Sequence, residues 1–291
     1  MSGQKILLLE EQAIGDVMQF LTLLPGLIAE AQHVGLLLNN RLIPIYNRSL
    51  ASYIQSNCLT IYSFDDVLHD RLKPSDYNFQ SPIGSICQYR FTDIHQYGCY
   101  SPVLSPSKSL VRQFREKYLS FPGNAKLLVG ISWRGGGTGD RIKEKSLDIN
   151  MFAQMLNIPG VRFISLQYGE SEPVVESWRK SGLDVHYDST VNSLKDMDTW
   201  LAQVASCDGV ISVANTTIHG SGGLDIPTLC LLSLHSDWRW LRDQSISRSY
   251  WYPSVGIARE TEDRGWLDAI ANARSWILSG LPYPTGSVSI D

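Results

Sequence analysis

Short apolar runs alternate with stretches of helical periodicity along the whole of this sequence, and that alternation constrains the fold most. Runs at 6–9, 34–38 and 60–62 read as strands. After the first, Val17, Phe20, Leu21, Leu24, Leu27 and Ile28 recur at helical spacing, and Pro25 should kink that helix or end it early. From 78 to 107 the pattern weakens, and Pro82, Gly84, Gly98, Pro102 and Pro106 indicate long loops with short strands. The stretch 109–119 is helical, with Leu110, Phe114 and Tyr118 on one side. Phe121-Pro122-Gly123-Asn124 then breaks the pattern.

The second part repeats the plan more cleanly. Apolar runs at 127–131, 162–166, 185–187, 209–213 and 228–232 read as strands, with helical stretches such as 173–180 and 197–205 between them. Strands alternating with helices predict an α/β chain of parallel sheets covered on both faces. A length of 291 residues suits two such units. They are expected over 1–122 and 123–291, with the last helix packing back on the first. Ligands of open α/β sheets bind at the carboxyl ends of strands, so the functional loops of both halves should face a shared cleft.

Composition narrows the function classes. Hydrophobic residues make up 43%, enough for a core in each half. Charged residues are 19% and the net charge is −4, which argues against a nucleic-acid partner. Cys58, Cys87, Cys99, Cys207 and Cys230 are scattered, with none at C-x-x-C spacing. They give no zinc or redox motif and fit a reducing, cytoplasmic compartment. No stretch approaches the roughly 20 apolar residues of a transmembrane helix. The run at 6–9, closed by Glu10-Glu11, is too short for the core of a secretory signal.

Several loops at strand ends carry candidate chemistry. The first strand runs into Gly15 and Asp16. Asp16 reads first as a cap of the following helix, and it is also well placed to take a proton in the cleft. Ser132 to Arg141 holds glycines at 135, 136, 137 and 139, with Arg134, Arg141, Lys143 and Lys145 around them. Such a loop can fold around an anion or simply be a flexible surface loop. It lacks the G-K-[ST] of a P-loop, and no G-x-G-x-x-G dinucleotide fingerprint occurs. After the run at 209–213, Asn215 or Thr216 can cap a helix whose free N–H groups would favour a phosphate. Gly220, Gly222 and Gly223 would allow close backbone approach there. His219 falls about one turn in, where a structural role is the alternative. Trp238, Trp240, Trp251 and Tyr252 can stack on a base or sugar, or pack between the halves.

These blocks, in this order, resemble the GT-B glycosyltransferases of the heptosyltransferase type, and most of all the branch commonly fused to tetratricopeptide repeats. The repeats themselves do not appear in the sequence. The resemblance rests on Glu11-Gln12-x-x-Gly15-Asp16-x-x-Gln19-Phe20, on Val129-Gly130-Ile131-Ser132-Trp133-Arg134-Gly135-Gly136 and on 161–167. Asp208 to His219, Asp237-Trp238-Arg239-Trp240 and Trp251-Tyr252-Pro253-Ser254 complete it.

The resemblance implies two Rossmann-like domains: an acceptor domain first and a nucleotide-sugar-binding domain second. It implies Asp16 as general base and Asn215, Thr216 and Thr217 as holders of the donor diphosphate. His219 belongs to the same helix. Arg134, Gly135, Gly136, Lys145 and Ser146 would lie near the phosphates, and Gln167 and Asp198 near the base or ribose. The donor would be a nucleotide-diphosphate sugar, the acceptor a saccharide, lipid-linked or protein group, and no metal or other cofactor would be needed. Asp16 and the phosphate helix would lie on opposite domains that close during turnover. Ala214 stands where that type often has an acidic residue, and Gly220 where it has a bulky apolar one. An inactive GT-B-fold binding or scaffold protein is therefore the alternative. A nucleotide-sugar epimerase or dehydrogenase is disfavoured, since a Tyr-x-x-x-Lys element is also missing.

Overall fold

The computed structural model describes residues 3–285 apart from 101, 138, 242 and 244, together with the backbone but not the side chain of Arg141. Thr138 and the Arg141 side chain, both in the glycine-rich loop, thus lie outside the described residues. Two all-parallel sheets form. The first contains β1 (Lys5–Leu9), β2 (His33–Leu38), β3 (Leu59–Ser63) and β4 (Phe79–Pro82), in the order β3-β2-β1-β4. The second contains β5 (Leu127–Ser132), β6 (Val161–Ser165), β7 (Val185–His186), β8 (Gly209–Val213), β9 (Thr228–Leu232) and β10 (Val255–Arg259). Its order is β10-β9-β8-β5-β6-β7.

In each sheet the chain winds outward from one strand and then restarts on that strand's other side. This happens between β1 and β4, and between β5 and β8. These are the crevices where open α/β sheets bind ligands. The central strands β6, β8 and β9 are buried at every residue, as strands covered on both faces are, and the one charge among them, Arg162 of β6, is paired with Asp184 at 2.9 Å.

Pro25 acts as its backbone limits demand. The first helix spans Ile14–Phe20, passes through a 3₁₀ turn at Leu21–Leu23, and restarts as Leu24–Ile28 with Pro25 in the opening turn. One apolar cluster joins the two halves, since it contains Val17, Phe20 and Leu36 together with Leu128, Trp200, Ile218 and Trp251. A second cluster lies on the other face of the larger sheet.

The last helix, Leu267–Leu278, departs from expectation. Its Ala269, Ile270, Ala273 and Ile277 join the second cluster beside β9 and β10, not the first half. Two alanines on the buried side let it lie close on that sheet. The helix Lys108–Leu119, though it precedes the break at 121–124, packs on Met197–Ala205 of the second half. Gln203 Nε2 donates to Tyr118 Oη at 2.8 Å, and Tyr118 Oη donates to Asp188 at 2.8 Å. Among the described residues no helix is long and apolar enough to cross a membrane.

Candidate functional site

A cavity of about 960 Å³ opens where the carboxyl ends of β1, β5 and β8 meet. Its first wall is built by the β1 exit. Gln12 takes a left-handed backbone conformation, φ 65°, and Ala13 becomes the helix N-cap with extended geometry. Asp16 is therefore not the cap but the third helical residue. Its Oδ2 reaches back to accept the Ala13 N–H at 3.1 Å. Its Oδ1 faces the cavity and pairs with Nη2 of Arg239 at 2.7 Å. Arg239 belongs to the second half, and its Nη2 also donates to Gln12 Oε1 at 2.7 Å.

Gly15 is where the two walls touch. A Cβ there would lie 2.9 Å from His219 Cδ2 and 3.2 Å from Thr216 Oγ1, closer than side chains normally approach. Its absence lets the helix bearing Asp16 rest on the helix Thr216–Gly223.

Asn215 caps that second helix, with Oδ1 accepting the Thr217 N–H at 2.8 Å. Its Nδ2 donates to Ser132 Oγ at 2.8 Å and to the Arg134 carbonyl at 3.0 Å, so the cap also fixes the β5 exit. Thr216, Thr217 and His219 line the cavity with it. The helix glycines serve protein packing, not approach to an anion. Cβ atoms at Gly220, Gly222 and Gly223 would meet Trp200, Tyr252 and Leu104 at 2.7, 2.5 and 2.7 Å. Trp200 thereby supplies the bulk that Gly220 lacks.

The glycine-rich loop is more ordered by contacts than its composition suggests. Gln167, expected beside a ligand, is buried beneath the loop. Its Oε1 accepts from Ser132 Oγ at 2.9 Å, Trp133 N at 3.1 Å and Arg134 N at 2.9 Å. Ser146 Oγ accepts the Gly135 N–H at 3.0 Å and donates to the Ile142 carbonyl at 2.5 Å. Arg134 lies over the Tyr168 ring at 5.5 Å and donates to the Tyr168 carbonyl. Neither Arg134, Gly135, Ser146 nor Gln167 lines the cavity, whereas Gly136, Gly137, Lys145 and Ala214 do. Lys143 stays at the surface, beside Asp140. Asp198 is also away from the cavity and forms an ion pair with Arg48 of the first half.

Sequence reasoning missed part of the site. Asp237 and Arg239 were read only as members of a block, yet both face the cavity. Asp237 Oδ2 stands 3.6 Å from Lys145 Nζ and 3.5 Å from Arg239 Nη1. Trp238 is exposed and lies over the Arg239 guanidinium at 5.0 Å, whereas Trp240 and Trp251 are buried, Trp240 still reaching the cavity wall. Glu10 is half-buried in the first wall and accepts the Asn39 N–H, and burial raises its pKa above the usual carboxylate value. Its place directly after β1 was the available signal. Together the walls offer carboxylates from Glu10, Asp16, Glu144 and Asp237, cations from Arg41, Lys145 and Arg239, and a capped helix start around a space of ligand size.

No family model matches the chain. FlbA of Caulobacter vibrioides is 24% identical over 270 residues, covering 87% of this chain. The chain spans 43% of the length of that curated relative. Among solved structures, E. coli ADP-heptose lipopolysaccharide heptosyltransferase II aligns with TM-score 0.61 and 12% identity, over 95% of this chain and 98% of that one. The glycosyl transferase family 9 structure from Veillonella parvula gives 0.57 and 12%, over 95% and 90%. The E. coli heptosyltransferase WaaC with ADP gives 0.55 and 11%, over 96% and 100%. These neighbours and the paired parallel sheets identify the fold as GT-B.

Proposed function

We propose that the chain is a glycosyltransferase that moves a sugar from a nucleotide-diphosphate donor to an acceptor hydroxyl, with inversion and without a metal. The observation that carries this reading is the meeting of Asp16 with the Asn215-capped helix start across the Gly15 contact. The donor diphosphate would rest at Asn215, Thr216 and Thr217, where free N–H groups and the helix dipole favour negative charge. Lys145 and Arg239 would offset the charge that grows on the leaving diphosphate. The acceptor oxygen attacks the anomeric carbon, and the carbon–oxygen bond to the diphosphate breaks, its electron pair leaving with the diphosphate. Asp16 takes the acceptor's proton.

Arg134, Gln167 and Ser146 act in this scheme by holding the β5 loop in shape. The neighbours include an ADP-heptose heptosyltransferase and a heptosyltransferase with ADP, which makes adenine nucleotides the first to try. The five cysteines are unpaired, which supports a reducing cytoplasmic setting. Nearest kin are proposed in the heptosyltransferase-like branch often joined to tetratricopeptide repeats.

The test combines calorimetry and turnover against ADP-, GDP-, UDP- and dTDP-sugars. Asp16→Asn should keep nucleoside diphosphate binding and lower transfer by roughly 10²- to 10⁴-fold, the range for removal of a general base. Transfer unchanged in that variant would end the base assignment. Failure of the wild type to bind any of these nucleotides would favour a scaffold protein instead.

A further inference from the structure

Asp237 stands between two cations in the second wall. One carboxylate oxygen, Oδ2, is shared by Lys145 Nζ at 3.6 Å and Arg239 Nη1 at 3.5 Å. Both distances exceed the roughly 2.7–2.9 Å of a tight charge-assisted hydrogen bond. Arg239 Nε is buried with no hydrogen-bond partner among the described residues. Lys145 and Nη1 of Arg239 thus share one loosely held negative oxygen, while Nη2 of Arg239 is held closely by Asp16 Oδ1 at 2.7 Å. The remaining oxygen of Asp237 has a separate task. Oδ1 accepts the Arg239 backbone N–H at 3.1 Å and caps the turn Trp238–Trp240.

We propose that Asp237 is a built-in competitor for the donor's diphosphate, bridging Lys145 and Arg239 until phosphate oxygens displace it from them. The inference rests on the nucleotide-diphosphate reading above and adds to it the residue that sets donor affinity. A diphosphate brings more negative charge than one carboxylate, and its several oxygens can reach each cation at bonding distance. Oδ1 can keep the cap throughout, so the cations shift from Oδ2 to the phosphate oxygens without unfolding the turn.

Asp237→Asn tests this on the full chain. Asparagine keeps a capping oxygen and removes the charge. Calorimetry with ADP, GDP, UDP and inorganic pyrophosphate should show the binding compounds held about tenfold more tightly, the scale of one lost charge contact. Asp237→Ser, which also supplies a capping oxygen, should act in the same direction. Glu144→Gln is the comparison, since Glu144 lines the same cavity and bridges no cation among the described residues. It should change affinity far less. Weaker or unchanged binding in both Asp237 variants, with a wild type that binds, overturns the proposal. So does equal tightening by Glu144→Gln, which would reveal only the general field of the cleft. A wild type that binds none of the four compounds removes the donor reading itself, and this inference with it.

Discussion

Burial holds the His219 imidazole well below its ordinary range, at about 4, and the Arg239 guanidinium pushes the same way. The ring is neutral at pH 7, so it brings hydrogen-bonding capacity but no charge to the cleft. Its Nδ1 lies 3.1 Å from the Tyr252 hydroxyl, itself kept protonated by burial. Between about 6.5 and 4 the unfolded chain protonates this residue and the folded chain does not. The depressed pKa therefore favours the folded state least at low pH: its contribution is intact above 6.5 and is lost as pH falls towards 4. Urea unfolding of the wild type and His219→Gln at pH 7 and pH 5 measures this. The stability gap between them should narrow at pH 5, by about 2 kcal/mol, since pH 5 lies about 1.5 units below the unfolded value. A constant gap would show that His219 titrates alike in both states. Gly220 makes a related point about volume. Read alone it looks like a lost side chain, but the space is filled from Trp200, twenty residues earlier in the sequence.

The loop after β5 and the helix after β8 behave as one element, tied by Asn215 and Gln167. Gln167→Ala would strip the acceptor from Ser132 Oγ and from the Trp133 and Arg134 N–H groups. The cost should be about 2–4 kcal/mol, since buried donors left unpaired cost about 1–3 kcal/mol each and some can recruit water. Thermal or chemical unfolding reads it directly, and a loss under 1 kcal/mol would mean the loop holds its shape by other contacts. Elements with clean periodicity were legible in the sequence. The helix at 197–205 and the strands at 209–213 and 228–232 have the expected bounds. β10 was not, because Gly256 and Arg259 interrupt a five-residue apolar run. The short helices Ile43–Ser49 and Phe64–Leu68 are too brief to show a period. In the site, strand-end position was enough to single out Asp16 and Asn215. It could not say whether a polar side chain turns towards a ligand or into the loop, so the hold of Gln167 on the β5 loop was not legible. Nor could it foresee that Arg239 would meet Asp16, since that pairing is made by the fold alone.

Across the molecule, the apolar cluster shared by the two sheets ties their stability together. Neither half can expose its share without exposing part of the other's. Far-UV circular dichroism and tryptophan fluorescence should therefore report one coincident unfolding transition in denaturant. Separate transitions, or earlier hydrogen exchange confined to residues 3–100, would show the halves to be independent. The Gly15 contact has a mechanical corollary. It lies one residue from Asp16 and against Thr216 and His219, so any rotation that preserves it turns about a fulcrum set beside Asp16 and the start of the helix Thr216–Gly223. A small angle then moves Asp16 very little while sweeping the distant rim of the cleft through a long arc. Ligands could come and go at that rim while the spacing of Asp16 and the helix Thr216–Gly223 stayed nearly constant.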